Sequence, residues 1–348
     1  MSTTSATSPT PAAPPDPPAA PQSRRMVAVA VLVPLLVALA LWAFTWPAAR
    51  MAPQDLPLGV AGPTAAASAV QDRLEQNNDG AFEVHRYADE SAAREAIEDR
   101  TVYGAVVVTE RGPKLLTASA ASPVVAQLLQ QAVAAQSPDG TPVETVDVVP
   151  APDSDPRGAA LSSSVLPMAI AGVAAGSIVT MVGLRRMRAA VALVGAATLV
   201  GLVAATLTHS WLGVLTGNWW AEAGALGLSA LAVSAAVAGF AALIGPAGIG
   251  VGALLVVLLG NPFSGVTSAP ELLPEPIGMI GQWLPPGAGG SLLRSVSFFD
   301  GAQAGGPALT LGLWAALGLT AVLLGGRRAG SSAPAGEPVR TPEPTPAG

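Results

Sequence analysis

The chain has 348 residues, 17 basic and 23 acidic, with a formal net charge of −6, and it is 51% hydrophobic and only 11% charged. It contains no cysteine, which excludes a disulfide framework, a thiolate nucleophile, Cys-ligated zinc and a Cys-bound iron–sulfur cluster, and its two histidines, His85 and His209, are too few for the usual multi-histidine metal site. Lys114 is the only lysine and Leu115 follows it, so the chain holds no P-loop, and a Gly-x-Ser-x-Gly hydrolase elbow is also missing.

Residues 2–23 are dense in Ser, Thr, Pro and Ala and cannot bury a core, so residues 1–25 are expected to form a disordered tail; residues 327–348 read the same way. Residues 26–46 are an apolar run of the roughly 20 residues that a helix needs to cross a hydrocarbon core of about 30 Å. They could also be the core of a cleaved signal peptide, with Ala48, Ala49 and Ala52 near a cleavage site. Such cores run to about 7–15 residues, and the greater length here favours an uncleaved anchor.

From residue 47 to 160 the pattern changes to short strands alternating with amphipathic helices, as in a small α/β domain. Strands are predicted at residues 56–61, 82–87, 102–109, 114–118 and 143–149. A helix capped by Thr64 carries Val70 and Leu74, and another, capped by Asp89 or Ser91, buries Ala93 and Ile97. A third, over residues 123–135, turns Val125, Leu128 and Leu129 inward. Between Arg50 and Arg157 there are 8 basic residues against 16 acidic ones, a net −8, and an acidic water-facing domain repels nucleic acid phosphates.

Residues 161–326 are a second membrane region, with spans expected at 162–184, 189–208, 223–243, 247–260 and 308–325. The run at 247–260 holds only 14 residues, about 21 Å of helix. One bent span over 223–260 is the alternative to two spans turning at Gly245, Pro246 and Gly248. The choice matters for orientation. Arg24 and Arg25 precede the first span, Arg185, Arg186 and Arg188 lie between the second and third, and Arg327 and Arg328 follow the last. With six spans these clusters share one side, and the positive-inside rule puts both termini in the cytoplasm and the α/β domain outside.

Several patches invite a functional reading. Asp153-x-Asp155-x-Arg157-Gly158 begins like a calcium loop, but Arg157 is a cation at a ligand position and Ser164 stands where a bidentate Glu is needed, which favours a solvated linker. His209, Trp211, Trp219 and Trp220 flank a short loop and read as an aromatic belt. The spans carry no ionisable residue in their interiors, Glu222 being at an end, which counts against proton-coupled transport. Gly172 and Gly176 have the Gly-x-x-x-Gly spacing that lets helices approach closely, a spacing that a Gly-rich chain also shows by chance. In the outer loop 261–306, Pro270, Pro274, Pro276, Pro285 and Pro286 interrupt an apolar sequence, and Leu292, Val296 and Phe299 recur at helical spacing, predicting an amphipathic helix from Ser291 that lies at the surface or dips in. This stretch, with Trp283, Pro285, Pro286, Leu292 and Arg294, is either an outer gate or an ordinary loop packed on the spans.

One span, an α/β domain opening with Leu56-Pro57-Leu58-Gly59-Val60-Ala61, and then five spans is an order that resembles the ABC-2 type transporter permeases, and within them the phage infection protein-like (YhgE/Pip) branch. Ser91-Ala92-Ala93-Arg94-Glu95-Ala96-Ile97 followed by Val102-Tyr103-Gly104-Ala105-Val106-Val107-Val108 is similar to the helix-then-strand pattern of such ectodomains. Trp283-Leu284-Pro285-Pro286 and Leu292-Leu293-Arg294 resemble the loop before the last span. The resemblance implies an export permease in the bilayer, working as a homodimer beside a separate P-loop ATPase. A second reading is a non-transporting envelope protein whose ectodomain binds a protein, a cell-wall component or a phage. The brief Arg185–Arg188 loop and the Pro-rich, non-amphipathic stretch before Arg24 favour it. A membrane enzyme ranks last, since no recognisable acid, base, nucleophile or metal cluster is present, and no cofactor is expected.

Overall fold

The computed structural model describes residues 22–77, 80–110, 112–136 and 143–325. Both expected tails, with Arg327 and Arg328, lie outside the described residues, apart from the start of the first helix. Residues 1–42 form one unit and residues 43–348 a second. The first contributes most of helix α1 (Gln22–Ala48). In the second, Arg50 places its guanidinium 5.3 Å over the Trp46 ring just past the helix end.

The α/β segment is a five-stranded sheet in the order β2-β1-β3-β4-β5, built from β1 (Leu56–Ala61), β2 (Phe82–Tyr87), β3 (Gly104–Thr109), β4 (Gly112–Thr117) and β5 (Glu144–Asp147). β1 runs parallel to β2 and β3, β3 and β4 form an antiparallel hairpin, and β5 is parallel to β4. Strand periodicity sorts the side chains. Leu56, Leu58, Val60, Val106 and Leu115 cover one face beneath α2 (Thr64–Asn77) and α4 (Pro123–Gln136), which supply Ala67, Leu74, Val125 and Leu129. Ala61, Ala105, Val107 and Leu116 cover the other beneath Ala93, Ala96 and Ile97 of α3 (Glu90–Glu98). Asp89 caps α3 by accepting from Ala92 N at 2.9 Å, and Ser122 caps α4 by accepting from Val125 N at 3.2 Å. Gly104 has no room for a side chain, since a Cβ there would come within 2.6 Å of the Leu116 carbonyl.

Both faces also take residues from far along the chain. Ala269 and Leu272 join the first core and Phe299 the second. The sheet is therefore packed against the stretch that precedes the last long helix.

Among the described residues, five helices are long and apolar enough to cross a membrane: α1, α5 (Ala159–Met181), α6 (Arg186–Ala205) with its π-helical continuation Thr206–Trp211, α7 (Trp219–Ile244) and α11 (Gly305–Gly325). The run expected as a further span is shorter, comprising α8 (Ala247–Ala253) and the π-helical Leu254–Gly260. It turns back along α7 rather than continuing it. Gly245 takes φ 75°, open to glycine, and Gly248 and Gly252 then face Phe240 and Val237 in antiparallel order.

α7 is the axis of the bundle, contacting α5, α6, α8, α11 and α10 (Pro285–Phe298). Small residues permit this crowding. A Cβ on Gly172 would lie 2.7 Å from Val233, and one on Gly176 would lie 2.5 Å from the Ser234 carbonyl. Gly201 meets Gly227, and Gly318 meets Ala235, in the same way. Gly176→Leu should therefore cost about 1–3 kcal/mol by overpacking. Gly195→Leu, at a glycine with open space around it, should cost less than about 0.5 kcal/mol. Thermal unfolding of both variants in detergent checks the contrast.

An ionic link ties α3 to the sheet edge: Glu90 accepts from Arg94 at 2.7 Å and from Lys114 at 3.0 Å, and Lys114 also lies 3.4 Å from Glu144. The hydrogen bonds from Arg94 and then Lys114 hold the Glu90 carboxyl below its ordinary range. A lowered folded-state pKa contributes stability above the free carboxylate value of about 4.3, and that contribution is lost as pH falls through the folded value. Glu90→Gln should thus lower the thermal midpoint modestly at pH 7 and flatten its decline below about pH 4.3, measured by circular dichroism across a pH series.

Candidate functional site

After the short helical run the chain does not stay outside the bundle. Helix α9 (Ile277–Gln282) and α10 follow, and α10 begins at Pro285 and Pro286, where a missing backbone N–H costs nothing. Pro286 fits against Gly260, at the end of the short run. The first turns of α10 lie beside Met168 and Ala169 of α5 and Leu226, Ser229 and Val233 of α7, around a small apolar gap of about 30 Å³. Trp314, halfway along α11, donates from Nε1 to the Trp283 carbonyl at 2.8 Å. The α9–α10 turn therefore sits level with the middle of α11, with Leu284 buried and Trp283 exposed.

The structure starts this helix at Pro285, six residues before the expected Ser291, and buries it almost throughout. Gly287, Gly289 and Gly290 let it approach Gly281, Ser229 and Val266 more closely than any side chain would allow. Glycine disfavours a helix in an isolated segment, so this start depends on packing.

The five residues singled out in this stretch do not converge on one opening. Trp283 is 67% exposed, whereas Pro285, Pro286, Leu292 and Arg294 are buried. Pro285 and Pro286 line the small apolar gap. Trp283 and Arg294 line a much larger cavity of about 650 Å³ between the sheet segment and the α9–α10 stretch, together with Arg100, Tyr103, Glu271 and Gln282.

Hydrogen bonds across this cavity join parts of the chain far apart in sequence. Tyr103 donates to Glu271 Oε2 at 2.8 Å. Arg100 donates to the Ser291 carbonyl at 3.2 Å and to Ser295 Oγ, and its guanidinium lies 5.4 Å over the Phe299 ring. Arg294 donates to the Val266 carbonyl at 3.0 Å, Ser291 to Gln282 Oε1 at 2.6 Å, and Gln282 to the Ser264 carbonyl at 2.7 Å. Burial, followed by the charge of Glu271 and its hydrogen bond, pushes the Tyr103 hydroxyl far above the ordinary phenol range, so it remains a neutral donor. Burial likewise lowers Arg100. The groups facing the cavity are fixed charges and hydrogen-bond donors, suited to holding a ligand, and among the described residues no cluster could hold a metal ion.

Other singled-out residues lie elsewhere. Gly172 and Gly176 face α7, away from the cavity. Arg24 and Arg25 fall in the first turns of α1. Arg185 and Arg186 line a cleft with Gly245, Pro246 and Gly325, so the α5–α6 turn, the α7–α8 turn and the end of α11 share one end of the bundle; Arg188 lies in the first turn of α6. The sheet side is joined to other turns, through Ser154 Oγ donating to the Gly213 carbonyl at 2.6 Å.

Two features escaped sequence reasoning. Glu222 is fully buried; its carboxylate sits 2.8 Å from His209 Nδ1 and accepts from Gly217 N at 2.9 Å. The only sequence signal for this pair was an acid and a histidine bracketing one short loop. Asp155, in the degenerate calcium-like motif, accepts from Ala159 N at 2.9 Å and Ala160 N at 2.8 Å and so caps α5.

Residues 24–183 match the family model described as ABC-2 family transporter protein, a stretch that takes in α1, the sheet segment and α5. The match and the long apolar helices mark a membrane protein of transporter type and support an ABC-2 permease. No curated protein and no solved structure matches the chain.

Loss of the Tyr103 hydroxyl leaves Glu271 without its donor, so Tyr103→Phe should cost about 1.5–3 kcal/mol. Adding Glu271→Leu should recover part of that loss, because the two residues share one bond. A double-mutant cycle on the thermal midpoint measures the coupling.

Proposed function

We propose that this chain is the permease subunit of an ABC-2 type exporter, moving an apolar or amphiphilic compound while a separate cytoplasmic P-loop ATPase supplies the energy. The observation that carries the proposal is the family match over residues 24–183, which falls on one apolar helix, a mixed sheet and a second apolar helix in succession. The sequence holds no P-loop, which supports an ATPase on a separate chain.

The reading counts six crossings, with Ala247–Gly260 as a short one, both termini in the cytoplasm and the sheet domain outside. Support comes from Arg185 and Arg186, which lie at the same end of the bundle as Gly325 and the α7–α8 turn, as the positive-inside rule requires. In this reading the α9–α10 hairpin, with Trp283, Pro285, Pro286, Leu292 and Arg294, is the outer gate. Its depth beside α5, α7 and α11 supports that role. A homodimer and membership of the phage infection protein-like branch belong to the same proposal and rest on the resemblance of the helix-then-strand motif. In this reading the chain performs no catalysis itself.

The test is purification of the tagged full-length chain from its native membrane. An ATPase should copurify, and its hydrolysis should depend on the chain after reconstitution; a clean preparation without any ATPase would favour the envelope-protein alternative. For topology, a reporter active only in the cytoplasm and fused after Arg328 should be active. A silent but well-expressed fusion would refute the even number of crossings.

A further inference from the structure

The cavity between the sheet segment and the α9–α10 hairpin carries an unbalanced charge. Arg100 is partly buried and Arg294 is only 6% exposed, and both line it. Among the described residues neither guanidinium lies within ion-pair distance of a carboxylate. Their hydrogen bonds go to neutral acceptors: the Ser291 carbonyl and Ser295 Oγ for Arg100, the Val266 carbonyl for Arg294. Glu271 is the nearby opposite charge and is bound to Tyr103, so it offsets at most one of the two cations. Asp55 and Glu275 also line the cavity but are exposed, where water screens them. One positive charge is left facing a cavity of about 650 Å³, within the size range of small-molecule sites. Burying an unpaired charge is costly, and a bound anion removes that cost.

The rim has the opposite character. Met279, in α9, is 65% exposed and Trp283, just after it, 67%, and both line the cavity. We propose that this cavity binds the anionic head group of an amphiphile, a phosphate or carboxylate monoanion held by Arg100 and Arg294, with its apolar tail lying over Met279 and Trp283. Guanidinium groups suit this task because their planar donors match both oxyanions. The proposal deepens the permease reading by naming the class of its cargo, and it rests on that reading only for calling the ligand cargo.

Isothermal titration calorimetry on the full-length protein in an uncharged maltoside detergent tests it, with three probes: short-chain phosphatidylglycerol, phosphatidylcholine of the same chain length, and inorganic phosphate. Phosphatidylglycerol should bind saturably and at least tenfold more tightly than either of the others. Arg100→Gln and Arg294→Gln should each weaken it by about tenfold or more. Because Arg294 is buried, Trp283→Ala at the exposed rim is the variant that separates binding from folding; it should weaken the lipid and leave phosphate unchanged. Equal affinity for the two lipids, phosphate binding as tight as the lipid, or lipid binding that survives both arginine substitutions would overturn the proposal. No ATPase enters this measurement, so its failure leaves the permease reading standing, and failed copurification leaves the binding site standing.

Discussion

Arg100 reaches from the end of α3 to Ser291 and Ser295 of α10 while lying over Phe299. The rest of the architecture depends on this attachment, because α10 is packed at its other end between α5 and α7. One helix thus touches the sheet segment with its last turn and the middle of the bundle with its first. Ala269 and Leu272 on one face of the sheet, and Phe299 on the other, extend the attachment into both hydrophobic cores. A motion of the sheet segment cannot leave α10 unmoved without breaking these contacts.

How α10 reaches that depth follows from its composition. A helix between crowded spans must present little volume, and Gly287, Ala288, Gly289 and Gly290 supply that. Its buried polar groups need partners inside the protein, and Gln282, Ser291 and Arg294 close a network on the carbonyls of Ser264 and Val266, while Ser297 Oγ is left without one. The glycines weaken the helix as an isolated segment and make it possible as a packed one.

That trade explains which parts were legible beforehand. β1 at Leu56–Ala61 and β2 at Phe82–Tyr87 occupy the expected residues because alternation with flanking turn residues is a local signal. The reversal at Gly245 was legible for the same reason, being set by one glycine and one proline. The start of α10 was not, because local breaker residues were overruled by tertiary packing. Nor was the cavity: Arg100, Tyr103 and Glu271 come from segments some 170 residues apart and meet only through the fold. Trp283, beside a proline pair, and Arg294, in Leu292-Leu293-Arg294, stood out in sequence as parts of the loop before the last span, but the cationic partner across the cavity had no local mark. His209 and Glu222 were noticed separately, as belt and boundary residues, and only the π-helical turn before the loop brings their side chains together.

The short run Ala247–Gly260 and the α9–α10 hairpin are best understood as one unit. Fourteen residues of ordinary helix cover about 21 Å of a core of about 30 Å. The π-helical half of this run, Leu254–Gly260, advances no further per residue, so the deficit stands. Pro286 meets Gly260 where the run ends, and α10 continues upward from that point beside α5 and α7. In the six-crossing reading, the depth that the short run leaves uncovered is filled by protein rather than by lipid, which removes the cost of ending a helix inside a hydrocarbon core.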